Sequence, residues 1–165
     1  GNILFLLGTT SEHFGGSHYL LVEGAESGTD VPPVNPAESR KVMEALQKTI
    51  AAGLVRTCHD LSEGGLAVAA AEMAFAGGLG VEINLSGGAG VPPEAKLFAE
   101  NAGRFLVEVA QENERAFMEI VKDIPCSKLG CITDTGRIIF NAGGKTLIDV
   151  SIAEAKQAWQ GTFDW

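Results

Sequence analysis

Residues 54–72 read LVRTCHDLSEGGLAVAAAE, and the chain changes character twice within them. Residues 54–58 have the composition of a short strand. His59 to Gly65 is polar and ends in paired glycines, as loops do. From Leu66 onward alanine dominates, the residue that loses least on entering a helix, and Gly77-Gly78 supplies a stop. A strand, a loop and a helix in immediate succession point to a sheet covered by helices.

The alternation continues in both directions. Upstream, Ile3-Leu4-Phe5-Leu6-Leu7 is an apolar run closed by Gly8, the pattern of a buried strand. A loop from Thr9 to Gly16 follows, with Ser17 placed to cap a short helix over 18–22. Residues 24–36 are rich in Gly, Pro and acidic groups and read as an exposed loop. Asn35-Pro36-Ala37-Glu38 combines an N-cap, a first-turn proline and a glutamate three residues after the cap. Val42, Leu46 and Ile50 then form the expected apolar stripe, and Gly53 ends the helix.

Downstream, Val81, Ile83 and Leu85 alternate with Glu82 and Asn84 in a half-buried strand. A loop over 86–93, a short helix over 94–99 and a strand from Phe105 come next. Residues 112–124 are helical, with Phe117, Ile120, Val121 and Ile124 on one face and Pro125 blocking continuation. Strands over 129–133, 137–140 and 147–150 are joined by two turn sequences, Asp134-Thr135-Gly136 and Asn141-Ala142-Gly143-Gly144, both read as hairpins. Ser151 and Glu154 make a capping box before a last helix, 162–165 is a tail, and Trp159 and Trp165 pack the last helix and tail. The pattern predicts an α+β fold, a mixed sheet with helices packed on it, in one domain over 1–165.

The chain has 165 residues, 45% hydrophobic and 20% charged, which suits a folded domain with no need of metal or disulfide staples. Its formal net charge of −9 disfavours a broad nucleic-acid face. Cys58, Cys126 and Cys131 contain no CxxC pair and read as reduced thiols of a cytoplasmic protein. No apolar run is long enough for a membrane span. The sequence opens without Met and almost directly in a strand, the expected look of a piece of something larger.

Cys58, His59 and Asp60 are the residue types of a nucleophilic relay, but consecutive side chains on an extended segment point to opposite faces. A metal site fails for want of a second ligand cluster, so neither catalytic nor metal-binding residues are assigned. What remains is backbone: Asp60 or Ser62 as the helix cap, and Gly64 and Gly65 allowing close approach of a ligand or, alternatively, close helix packing. Residues 8–17, GTTSEHFGGS, repeat the theme, with Gly15 and Gly16 ahead of Ser17. Two such loops at one end of a sheet would offer N–H groups to an anion such as a phosphate. Neither matches GxxxxGK[ST] or GxGxxG, which argues against a self-contained nucleotide-binding domain. Arg104 reads either as a phosphate partner or as a solvated edge-strand charge, Glu72 as a helix-face residue.

Three motifs in order, LGTTSEHFGGSHYL, HDLSEGGLAVAAAEMA and LFAENAGRFLVEV, resemble the C-terminal part of the phosphoribosylformylglycinamidine synthases of large-subunit type. The second motif also occurs in the wider aminoimidazole ribonucleotide synthetase superfamily, which leaves that synthetase, selenophosphate synthetase and a purely structural module as alternatives. The resemblance implies a three-layer domain with a ferredoxin-like part. It implies a reaction in which ATP and Mg2+ activate formylglycinamide ribonucleotide for attack by ammonia from a glutaminase partner, in the cytoplasm. It further implies that N-terminal domains carry most of the catalytic residues. By the same resemblance Gly15, Gly16 and Ser17 hold the ribose phosphate, and His59, Asp60, Ser62, Gly64 and Gly65 form the second loop beside nucleotide or substrate. Family members often carry LFSES or LFGES where this chain has Leu97-Phe98-Ala99-Glu100-Asn101, which removes the small hydroxyls there.

Overall fold

The computed structural model describes residues 1–25, 28, 30–85 and 90–161. Seven strands form one sheet: β1 (Ile3–Leu7), β2 (Val55–Asp60), β3 (Gly80–Asn84), β4 (Phe105–Val109), β5 (Cys126–Thr133), β6 (Arg137–Ala142) and β7 (Lys145–Ser151). Among the described residues six α-helices accompany them, α1 (His18–Val22), α2 (Pro36–Ala51), α3 (Gly65–Gly77), α4 (Pro93–Phe98), α5 (Glu114–Val121) and α6 (Ile152–Gly161), with a 3-10 turn over Gln111–Asn113 before α5. The sheet order is β2-β4-β1-β5-β3-β6-β7, antiparallel except for the parallel pair β3–β6. The sheet is thus mixed and helix-covered, as its sequence pattern requires.

Two βαβ units, β1-α2-β2 and β4-α5-β5, interleave to give the order β2-β4-β1-β5, the ferredoxin-like arrangement. Helices α2 and α5 cover one face, where Val42, Leu46, Phe117 and Val121 pack on Ile3, Phe5, Leu7, Val107 and Val109. Helices α3 and α4 cover the other, with Leu66, Ala70 and Leu97 against Leu4, Leu6, Leu106 and Phe140. Successive residues of β1 enter opposite cores because side chains alternate across a strand. All five are buried, which is why this segment reads as a continuous apolar run.

Four sequence expectations need correction. The buried stripe of α2 is Val42, Ala45, Leu46 and Thr49, while Ile50 is half exposed. A strict four-residue step drifts off a 3.6-residue helix within three turns. β2 runs on through His59 and Asp60, which are strand residues. Asp134-Thr135-Gly136 is not a hairpin turn, since β3 lies between β5 and β6. The connection crosses the end of β3 at Gly80, where a Cβ would meet Thr133 Oγ1 at 2.5 Å and Arg137 O at 2.7 Å. The second turn is a true hairpin between Ala142 and Lys145, with positive φ at both Gly143 and Gly144, the two-residue type that matches strand twist.

The fourth concerns α3. Its N-cap is Gly64, at φ +76°, with no side-chain cap, so neither Asp60 nor Ser62 fills that role. The caps at Ser17, Asn35 and Ser151/Glu154 form as read. Part of the loops over 24–36 and 86–93, and the tail over 162–165 with Trp165, lie outside the described residues. Among the described residues no helix is long and apolar enough to cross a membrane.

Candidate functional site

The two glycine loops leave the sheet from β1 and β2 and meet. In the first, Gly15 lies against the chain at Asp30: its N–H donates to Asp30 O at 2.9 Å, and a Cβ there would stand 2.5 Å from the same oxygen. Ser17 donates its N–H to Phe14 O at 2.9 Å and accepts from Leu20 N through Oγ at 3.4 Å, capping α1. Gly16 has φ +76° and an N–H with no partner among the described residues. In the second loop, Ser62 Oγ donates to Asp60 Oδ2 at 2.6 Å, and Gly65 N–H to Ser62 O at 3.1 Å. A Cβ at Gly65 would lie 2.8 Å from Ala99 O and 2.9 Å from Leu97 O, so this glycine serves close packing on α4.

What joins the loops is the segment after α4. Glu100 Oε1 accepts from His18 N at 2.9 Å and from Gly64 N at 2.8 Å, and lies 3.5 Å from His18 Nδ1. One carboxylate therefore satisfies the first N–H of α1 and the N-cap N–H of α3, where the helix field favours negative charge. Asn101 does the same for the start of the first loop: its Oδ1 accepts from Ser11 N at 2.9 Å, and its Nδ2 donates to Ser11 Oγ at 2.7 Å. Asn101 thus holds the loop through its amide.

Arg104 completes the segment and is neither an edge charge nor solvated. It is 1% exposed and immediately precedes the interior strand β4, with its O accepting from Leu61 N at 3.0 Å and Nη1 donating to Ala99 O at 2.9 Å. Its Nε and Nη2 have no partner among the described residues, and burial pushes the guanidinium down to about 10.

Gly15–Ser17 and Ser62–Gly65 are thus brought together, whereas His59 turns elsewhere and Asp60 touches the second loop only through Ser62. His59 Nε2 lies 3.0 Å from Glu72 Oε2, and Trp159 Nε1 donates to Glu72 Oε1 at 3.0 Å; His59, Glu72 and Trp159 line a separate 630 Å3 cavity with Met73 and Phe75. Asp60 lines another cavity with Ser39, Met43 and Cys58. The Ser62 hydroxyl holds the Asp60 carboxyl below the usual carboxylate range. Burial, then Asp60, pushes the Cys58 thiol up to about 11, so it is protonated near neutrality and unsuited to nucleophilic attack. Glu100 and Asn101 escaped sequence reading as joints because their partners lie 90 residues away for Asn101 and 82 and 36 for Glu100. The one signal was that LFAEN accompanies the two glycine loops.

The family model for AIR synthase related protein, C-terminal domain, matches residues 1–142. The phosphoribosylformylglycinamidine synthase subunit PurL of Carboxydothermus hydrogenoformans is 34% identical over 167 residues, covering 100% of this chain and 23% of that protein. Its namesake from Moorella thermoacetica is 36% identical over 164 residues, covering 97% and 22%. The chain thus spans less than a quarter of these relatives. Among solved structures, T. maritima PurL complexed with FGAR superposes with a TM-score of 0.80 at 17% identity, over 93% of this chain and 27% of that one. The same protein complexed with ATP gives 0.73 at 18% identity, over 93% and 25%. At such identities the structures establish a shared fold.

Proposed function

Because the chain belongs to the AIR synthase related protein, C-terminal domain, family, we propose that it works as the C-terminal domain of a phosphoribosylformylglycinamidine synthase. The observation that carries this reading is the 34% and 36% identity to proteins of that name along essentially the whole chain. The full enzyme would convert formylglycinamide ribonucleotide to its amidine in purine synthesis, in the cytoplasm, with ammonia from a glutaminase partner. ATP would supply the phosphoryl group that activates the amide oxygen. The solved relatives complexed with FGAR and with ATP support those two ligands. Among the described residues no group of three or more His, Cys, Asp or Glu is placed to hold a metal ion. We therefore assign Mg2+ to none of the described residues.

In this scheme the loop junction receives the substrate's ribose phosphate. Gly16 N–H and the Ser17 hydroxyl are its first donors. The N–H groups of His18 and Gly64 become available when the phosphate displaces the Glu100 carboxylate, with Ser62, Gly15 and Gly65 fixing the loop shapes. His59 and Asp60 would meet a nucleotide only through the separate cavities they line.

A second reading has its own support: Gly15, Ser17, Gly64 and Gly65 already spend their N–H groups inside the protein. On that reading the loops are joints for neighbouring domains. A chimera decides between them. With the matching quarter of a relative replaced by this chain, growth of a purine auxotroph is expected, with Gly16→Val and Ser17→Ala impairing it. A folded, soluble chimera that fails to support growth overturns the functional assignment. Full growth of both variants leaves only the joint. The isolated chain should show no turnover with ribonucleotide, ATP and ammonia, and measurable turnover would contradict its role as one domain among several.

A further inference from the structure

At the carboxyl end of β1 lies a 220 Å3 cavity whose lining includes Leu6, Gly8, Thr10, Lys96 and Ser127. It holds several times the roughly 30 Å3 that one water occupies in the liquid. The protein's formal charge is −9, yet no Asp or Glu lines this space among the described residues. Among the described residues its one charged wall residue is Lys96, whose Nζ donates to Leu85 O at 2.9 Å and has no second partner there, leaving two of three N–H donors. The hydroxyls of Thr10 and Ser127 make no hydrogen bond among the described residues, while the remaining wall hydroxyl, on Thr9, donates to Glu38 at 2.7 Å.

Behind Gly8 stands Arg104. A Cβ on Gly8 would lie 3.2 Å from Arg104 Cγ, so the arginine stem runs directly against this wall. Register places Arg104 on the same sheet face as Leu106 and Leu61, the face on which Leu6 and Leu66 also pack. Its guanidinium makes one hydrogen bond, leaves two nitrogens unpartnered and forms no ion pair among the described residues. A buried cation without a counter-charge is costly, and an anion nearby removes that cost. Low-dielectric surroundings carry its field into the adjoining space.

We propose that this cavity is a binding site for a phosphate-class oxyanion, with Lys96, Thr10 and Ser127 as direct donors and Arg104 as the cation behind it. Gly8, Thr9 and Thr10 at the start of the first loop line it, but none of Gly15, Gly16, Ser17, Gly64 or Gly65 does, so it shares no donor with the loop junction and is independent of the function proposed above. The same chemistry suits free phosphate or the phosphoryl end of a larger ester.

The test is thermal unfolding against inorganic phosphate, and in parallel against ribose 5-phosphate, at ionic strength held constant with chloride so that screening does not pass for binding. A ligand that binds the folded state raises Tm with its concentration. Wild type should show the rise. Lys96→Met and Arg104→Met should each need about tenfold more ligand for the same shift, Lys96→Arg should restore it, and Gly16→Val should keep it. Arg104→Met should unfold at or above the wild-type temperature without ligand, because it removes an unpaired buried charge. A shift with ribose 5-phosphate alone, weakened by Lys96→Met, supports the site and identifies the ester as its occupant. No shift with either compound overturns the proposal. So does a shift untouched by Lys96→Met and Arg104→Met, and one lost only in Gly16→Val places the anion at the junction instead.

Discussion

Replacing Glu100 tests the joint on which the whole loop geometry rests. Its carboxylate, 17% exposed as a side chain, accepts from Gly64 N at 2.8 Å and His18 N at 2.9 Å. Hydrogen bonds to a charged group contribute about 1.5–3 kcal/mol each where partly buried, and less where water competes. The Gly64 bond is partly buried and the His18 bond exposed. About 2 kcal/mol for the first and about 1 for the second puts Glu100→Ala near 3 kcal/mol. Glu100→Gln keeps an acceptor of the same reach and loses only the charge, so about 1 kcal/mol is expected. For a chain of this size that is roughly 6–12 °C in Tm for alanine and roughly 2–4 °C for glutamine. Urea unfolding gives the free energies, provided the m-value is unchanged between variants. Hydrogen exchange supplies the local readout: the amides of His18 and Gly64 should lose protection in Glu100→Ala while those of β1 and β4 keep theirs. An alanine variant within about 0.5 kcal/mol of wild type, or glutamine as damaging as alanine, would show that the carboxylate does not join the loops.

Gly65→Ala should cost about 3 kcal/mol, because the new Cβ meets three backbone atoms at 3.0 Å or less. Gly78→Ala, at a similar φ of +68° but with nothing within 4 Å, should cost only about 1 kcal/mol; equal losses by urea unfolding would remove the case for close packing at Gly65. The Ser151 hydroxyl, then its backbone N–H, holds the Glu154 carboxyl below its ordinary value. That contribution is present above the ordinary carboxylate range and is lost as pH falls through the lowered value. The urea midpoint difference between wild type and Ser151→Ala should therefore shrink from pH 6 to pH 3, and a constant gap would refute the linkage. Burial pushes the Cys126 thiol up to about 11. Its alkylation by iodoacetamide at pH 8 should be on the order of a hundredfold slower than in urea-unfolded protein, and comparable rates by mass spectrometry would contradict that burial.

Local physics made much of the fold readable. Helix starts at Ser17, Asn35 and Ser151 depend on atoms within three residues of one another, so their caps are visible in a few letters. The strands of both βαβ units declared themselves by apolar runs or alternation. Strand order did not, and the misread turn at Asp134-Thr135-Gly136 shows why. A two- or three-residue turn is compatible with adjacent strands or with strands held one position apart, and only the later choice of β3 as the intervening strand separates them. The deciding letter is Gly80, which lies more than fifty residues before the turn that crosses it.

The same division of labour governs the loops. Their glycines were legible as departures from ordinary backbone, but whether a glycine is bare toward a ligand or bare toward its own protein depends on what lies opposite. Gly65 faces the carbonyls of Leu97 and Ala99, and Gly15 faces Asp30, so two of the conspicuous glycines are explained by internal contact alone. Gly16, with only Val31 Cγ1 at 3.9 Å from a would-be Cβ, is the one among these whose open side still needs an explanation. The charges follow the same logic. Glu100 supplies the negative group that the converging helix starts demand, so an incoming anion must compete with it. Arg104 has no such partner among the described residues: its guanidinium makes one hydrogen bond, to Ala99 O, and leaves two nitrogens unpaired. The protein therefore meets its backbone's demand for an anion at the junction with its own carboxylate, and leaves unmet the demand of a side chain that a sequence reader would take for surface.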